Sequence, residues 1–122
     1  MQKTSNYKKQ CGNYGENIAV KYLEENGYKI IQRNFKYSKR GEIDIIAESD
    51  DILVFIEVKT RTNDNFGSAI EQILPNKILR WRQAAEGYMF IHQIIAKKCR
   101  LDLIAIDFEG KNYKITHIEN VV

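Results

Sequence analysis

Proline is nearly absent from this chain of 122 residues: there is one, Pro75, beside only two cysteines, two histidines, two methionines and one tryptophan. Cys11 and Cys99 lie far apart and no Cys-x-x-Cys occurs, which argues against a structural zinc site. Both are expected as reduced thiols. His92 and His117 are isolated in sequence, so each reads as a surface or half-buried residue rather than a metal ligand or catalytic base. No apolar run approaches the roughly 20 residues of a membrane span. Met1 to Gln10 is polar and lacks the apolar core of a signal peptide. A cytoplasmic protein with no membrane partner is expected. Also missing are a Ser/His/Asp arrangement, a phosphate-binding Gly-rich motif and a dinucleotide fingerprint. Those absences argue against a nucleophilic hydrolase and a nucleotide-binding enzyme. Strong charge of one sign is lacking too. A net charge of +3 is compatible with nucleic-acid binding without demanding it.

The apolar fraction of 43% and the charged fraction of 29% are those of an ordinary globular domain. Residues 1–10 read as a loose, flexible arm and residues 11–122 as a single domain, with no internal repeat or linker. From Tyr14 to Asn26, Ile18, Ala19, Tyr22 and Leu23 recur at helical spacing, and Gly27 follows as a cap. Strands are expected at Tyr28–Tyr37, Glu42–Ala47 and Ile52–Thr60, with turns at Ser38–Gly41 and Glu48–Asp51. A polar loop (Asn63–Gly67) and a short helical segment (Ser68–Leu74) precede Pro75, which suits the first turn of a new helix running to about Ile91. Strands at Arg100–Phe108 and Tyr113–Glu119 close the chain as a hairpin. The order is α-β-β-β-α-β-β. A helix between the third and fourth strands implies a crossover that leaves them parallel. The expected fold is α/β, a central mixed sheet flanked by helices.

Three charges interrupt the apolar strands: Asp44 in Gly41-Glu42-Ile43-Asp44, and Glu57 and Lys59 in Phe55-Ile56-Glu57-Val58-Lys59. Burying charges side by side is expensive unless they neutralise one another or hold a cation. A hairpin closed around Ser49 and Asp50 sets residue 44 opposite 55. Asp44, Glu57 and Lys59 then share one face, with Asp44 diagonal to Glu57 and Glu42 directly opposite it. A slip of one residue would turn Asp44 away. Two carboxylates within reach of one cation suit Mg²⁺, which takes few carboxylates and keeps several waters. A lysine beside them can stabilise negative charge developing on a phosphate. Glu42 reads as an outer group or a strand-end residue. Glu16 leans toward the buried face of the first helix. It is either a carboxylate favoured by the helix dipole or an acid pointed into the site. Basic residues cluster at Lys8-Lys9, Lys36-Lys39-Arg40, Lys59-Arg61, Lys77-Arg80-Arg82 and Lys97-Lys98-Arg100. They gain weight only if the fold gathers them around one site.

Asp44 followed by Glu57-Val58-Lys59 resembles the PD-(D/E)XK motif of the restriction-endonuclease-like superfamily. The wider pattern is Gly15-Glu16-Asn17-Ile18-Ala19, Gly27-Tyr28, Arg33-Asn34, Gly41-Glu42-Ile43-Asp44 and Phe55-Ile56-Glu57-Val58-Lys59-Thr60-Arg61. It resembles the bacterial YraN-like family, which is related to Holliday-junction resolvases. The likeness continues through Lys77 and Arg100-Leu101-Asp102 and covers nearly the whole chain after the arm. Ile43 stands where the superfamily name has proline. The resemblance implies the superfamily fold, with Asp44 and Glu57 as metal ligands, the Val58 carbonyl as a further ligand and Lys59 as the catalytic lysine. Glu16 matches the helix acid of resolvase-like members. Arg61 and Lys77 become phosphate contacts, and Lys39 and Arg40 join them as candidate nucleic-acid contacts. The implied activity is a Mg²⁺-dependent endonuclease, with Mn²⁺ as a substitute, acting on DNA. Branched and junction DNA are among the candidate substrates. Resolvase-like enzymes often work as dimers, so a homodimer is a reasonable expectation. Two alternatives stay open: a non-catalytic nucleic-acid-binding module with a nuclease fold, and a protein-interaction subunit.

Overall fold

Five strand-like segments, the third and fourth of them nearly continuous apolar runs, and two segments with apolar residues at helical spacing become the elements of the fold. The computed structural model describes residues 2–39, 41–62 and 75–121, with side chains for 13–39, 41–62 and 77–121. The elements are α1 (Gln2–Glu25), β1 (Lys29–Ser38), β2 (Gly41–Ser49), β3 (Ile52–Arg61), α2 (Pro75–Ile91), β4 (Cys99–Glu109) and β5 (Asn112–Ile118). The order matches the sequence-based expectation. The first ten residues, expected as a loose arm, are continuous with α1 from Gln2 onward. No proline interrupts that stretch, and its Lys and Gln residues are good helix formers. The loop and short helix expected between Asn63 and Leu74, and Arg40, lie outside the described residues.

α1 ends in a paired cap. Gly27 takes φ 86°, the Tyr28 N–H donates to the Leu23 carbonyl and the Gly27 N–H to that of Glu24. This satisfies the last carbonyls and turns the chain into β1. The sheet order is β1-β2-β3-β4-β5. All neighbours are antiparallel except β3 and β4, which run parallel across the connection through α2. The helices cover opposite faces. Ile18, Ala19 and Leu23 of α1 pack on Ile45, Ala47, Val54, Ile56, Ile104 and Ile106. Trp81, Ala84, Ala85 and Tyr88 of α2 pack on Phe35, Ile43, Ile46, Leu53, Phe55 and Leu101. With both faces covered, the central strands β3 and β4 are nearly continuous apolar runs. No described helix is long and apolar enough to cross a membrane.

The β2–β3 hairpin corrects the expected register. Ser49 pairs with Ile52, Ala47 with Val54 and Ile45 with Ile56. The turn is therefore Asp50-Asp51, one residue later than expected, and every partner shifts by two. Both aspartates take positive φ, 49° and 66°, the two-residue turn whose twist matches the flanking strands and which Asp tolerates. A shift of two preserves the faces. Continued along the strands, it places Asp44 level with Glu57 rather than diagonal to it. Glu42 is not opposite Glu57. It pairs with Lys36 of β1.

His117, isolated in sequence, has a buried partner. Asp102 of β4 is fully buried and accepts hydrogen bonds from Arg100 Nε at 2.9 Å, from Arg100 Nη2 at 3.0 Å and from the Asn120 N–H at 3.0 Å. His117 Nε2 lies 2.7 Å from it, with Nδ1 3.0 Å from the Tyr22 hydroxyl. Burial pushes the Asp102 pKa up, but the bonds from His117, Arg100 and Asn120 outweigh it and hold the carboxyl below its ordinary value. This network ties the C-terminal end of α1 and β5 to β4.

Candidate active site

The regular alternation of β2 fails at Asp44. Ile43 packs on the α2 face and Ile45 on the α1 face, although residues two apart on a regular strand share a face. Asn34, opposite Asp44 on β1, has φ 54°, and the described β2–β3 pairing stops at Ile45 and Ile56. The two strands part at this point. The Asp44 carboxylate fills the opening and accepts the Val58 N–H at 2.8 Å, through Oδ2. A side chain has replaced the ladder bond that a carbonyl would have made.

Glycines bring both helices onto this opening. A Cβ at Gly41 would come 3.2 Å from the Arg80 carbonyl and 3.0 Å from Ala84 Cβ. Glycine therefore seats α2 closely on the start of β2, with Lys77, Arg80 and Trp81 beside Asp44. On the other face a Cβ at Gly15 would collide with the Thr60 side chain. α1 thus crosses β3 in close contact, and the next residue, Glu16, reaches Arg33 of β1 at 3.4 Å. Glu16 lies between β3 and β1, over β2, close enough for its charge to act on Asp44.

The result is a pocket of about 180 Å³ lined by Glu42, Asp44, Glu57, Lys77, Arg80 and Trp81. Glu57 is buried and its Oε2 lies 2.7 Å from Lys77 Nζ. Burial, and then the charge of Glu57, push the Asp44 carboxyl up to about 8 from 3.8; Glu16 adds to this, and the Val58 N–H and Lys77 only partly offset it. Burial works against the Lys77 ammonium, but the hydrogen bond and charge of Glu57, with Asp44 and Glu42 behind them, hold its pKa above the ordinary lysine value. Glu42, Asp44 and Glu57 thus face two cations of α2, Lys77 and Arg80, in one lining. Trp81 Nε1–H is buried and finds no acceptor among the described residues.

Of the residues singled out in the sequence, the pocket gathers Glu42, Asp44, Glu57 and Lys77, with Glu16 just outside it. The Val58 N–H is bound to Asp44, and its side chain packs among the α1-face residues. Lys59, exposed on the same strand, is absent from this lining. Arg61 is held by Asp107 through a bidentate pair at 2.6 and 3.0 Å. Lys39 is exposed at the β1–β2 turn. Arg80 and Trp81 were missed as site residues. The signal available was the spacing Lys77-Arg80-Trp81, which places three residues on one helix face.

The donors are hard oxygens: two carboxylates, with the Val58 carbonyl on the same strand. No group of three acidic, His or Cys side chains is placed to cage a metal among the described residues. Such a set fits Mg²⁺, which needs only one or two carboxylates beside water and phosphate oxygens. It does not fit a zinc or calcium cage.

Fold and site define a class: an α/β domain in which two parting strands present paired carboxylates to cations on a flanking helix. The chain belongs to the uncharacterised protein family UPF0102, whose model matches residues 15–106. That span runs from Gly15 through all six pocket-lining strand and helix positions into β4. A UPF0102 protein of Sulfurihydrogenibium sp. (strain YO3AOP1) is 42% identical over 113 residues, 93% of this chain and 94% of the relative. One from Syntrophomonas wolfei is 39% identical over 112 residues, 92% and 96% of the two chains. One from Clostridium perfringens (strain SM101) is 40% identical over 116 residues, 93% and 94%.

Proposed function

We propose that this protein is a Mg²⁺-dependent endonuclease that hydrolyses DNA phosphodiester bonds in the cytoplasm. The observation that supports the reading most is the pairing of half-buried Asp44 with buried Glu57 where β2 and β3 part, in a small polar pocket where Lys77 touches Glu57. A carboxyl whose pKa is raised by burial and by a neighbouring carboxylate is costly to keep without a cation to bind, and such perturbed groups concentrate at functional sites. Asp44, Glu57 and the Val58 carbonyl would hold the metal, which when bound supplies Lewis acidity toward a phosphate oxygen.

The chain's own residues do the rest. Glu57 keeps Lys77 beside the metal ligands, and Lys77 and Arg80 attract and orient the phosphate through charge-assisted bonds. Trp81 Nε1–H is a fixed donor in the same wall. Lys59, exposed two residues beyond Glu57, stabilises the negative charge that develops as the phosphate is attacked. Glu16 adds negative charge on the α1 side, and Arg33 limits it. The test is cleavage of labelled DNA in Mg²⁺ or Mn²⁺. Asp44→Asn and Lys59→Ala should each lose activity by at least about 100-fold, with the fold unchanged by circular dichroism. Full activity in both variants would sink the proposal.

One observation favours a second reading, a non-catalytic nucleic-acid-binding module. Lys77 already satisfies Glu57 at 2.7 Å, as a lysine does when it stands in for a cation. In that case no metal supports cleavage, and Lys77→Ala lowers DNA affinity instead.

A further inference from the structure

The tip of the β1–β2 hairpin carries a feature that hydrolysis alone does not use. Three carbons of the Tyr37 ring, Cγ, Cδ1 and Cε1, occupy the space a Cβ on Gly87 would need. Glycine at that point of α2 lets the ring rest against the helix backbone. The ring is thereby fixed in position, yet Tyr37 remains 46% exposed. Phe90, three residues further along α2, is 80% exposed. The two rings line one open depression with Ser38, Gln83, Glu86 and Gly87.

This aromatic surface continues toward the active site. Tyr37 also lines a depression of about 490 Å³ with Lys36, Ser38, Lys39, Gly41 and Glu42. Glu42 in turn lines the pocket of Asp44 and Glu57. At roughly 3.3 Å per strand residue, the tip beside Gly41 lies about 10 Å from Asp44, the length of about three stacked nucleotides. Along that path Lys36 and Lys39 are exposed cations. Glu86 and Glu42 are the acids facing it, and Glu42 is opposed by Lys36.

We infer that Tyr37, seated on Gly87, and Phe90 form a stacking platform for unpaired bases of the strand leaving the active site. Lys36 and Lys39 hold its phosphates. Bases inside a duplex present no free face, so only a strand that is single or splayed can use such rings. The substrate class is therefore DNA with an unpaired segment beside the scissile phosphate, in preference to blunt duplex. This inference rests on the nuclease reading for the direction of the strand, but its binding test does not depend on cleavage.

The experiment is fluorescence anisotropy in EDTA with a single-strand-tailed duplex, a three-way junction and a blunt duplex of equal length. Tyr37→Ala and Phe90→Ala should weaken binding to the tailed and branched DNA by roughly 5- to 150-fold. Duplex affinity should stay within twofold, and Tyr37→Phe should bind like the wild type. Equal losses on all three DNAs, or no loss on any, would overturn the platform. If the wild type cleaves branched DNA while Tyr37→Ala binds it normally, the platform is wrong and the nuclease reading stands. If tailed DNA is bound through Tyr37 but never cut, the nuclease reading fails and the platform stands. Absence of DNA binding by the wild type removes both.

Discussion

Asp44→Asn should make the metal-free protein more stable, and increasingly so as the pH rises. The folded pKa of Asp44 is about 8, against an ordinary value of 3.8. Between those values the unfolded chain has lost this proton while the folded chain keeps it. The native state then binds more protons, so stability falls as the pH rises from about 4 to about 8. Below that window the carboxyl is protonated in both states and there is no penalty. At one pKa unit per 1.36 kcal/mol, the wild type forgoes about 4 kcal/mol at pH 7. Asparagine is uncharged, has nearly the shape of the protonated acid, and keeps an oxygen to accept the Val58 N–H. It removes the penalty and spares the bond. Thermal melts of both proteins in EDTA, at half-unit steps from pH 4 to 9, give the difference directly. It should grow with pH and level off above 8. At neutral pH it should reach roughly 15 °C in Tm for a chain of this length. A difference that is flat with pH, or a variant less stable than wild type at pH 8, would refute the reasoning that burial and Glu57 hold the Asp44 carboxyl protonated.

Further outcomes follow from the packing. Gly15→Ala should cost about 1–3 kcal/mol by forcing α1 off Thr60. Thr60→Ser, which removes the methyl in the way, should recover most of that loss in the double variant by urea denaturation. Asp102→Ala should cost about 3–5 kcal/mol, because it leaves Arg100 and His117 around an emptied acceptor. The stability Asp102 contributes is present above its unfolded pKa and lost as the pH falls through its depressed folded value, visible as an acid limb below about pH 4 in the wild type only. Lys59→Ala should leave the denaturation midpoint within about 0.5 kcal/mol, since the side chain is exposed, while lowering the cleavage rate.

Strands, helices and their order were legible because each apolar run has one period and one set of boundaries. Pro75 and Gly27 mark helix ends with a single meaning. The β2–β3 turn was not, since Glu48-Ser49-Asp50-Asp51 offers four polar residues and only the twist of the flanking strands selects the last two. Asp44 and Glu57 stood out as charges within apolar strands. What they do to each other depended on a break in alternation at Asn34 and Asp44 that no local pattern announces. Gly15 on Thr60, Gly41 on Ala84 and Tyr37 on Gly87 are contacts between distant elements, and a sequence read locally shows each only as one more glycine. The His117–Asp102 bond was hidden for the same reason: the histidine is isolated in sequence, and the fourth and fifth strands bring it to the acid.

Calorimetric titration of Mg²⁺ into the wild type and the Asp44→Asn, Glu57→Gln double variant, with and without DNA, bears most directly on the metal site. Near pH 7 the wild type should bind Mg²⁺ and release about one proton, seen as a heat that changes with the buffer's ionisation enthalpy, and its affinity should climb with pH up to about 8. The double variant should bind none. Mg²⁺ binding that is equal in both proteins, or absent from the wild type even with DNA present, would contradict the assignment of Asp44 and Glu57 as metal ligands.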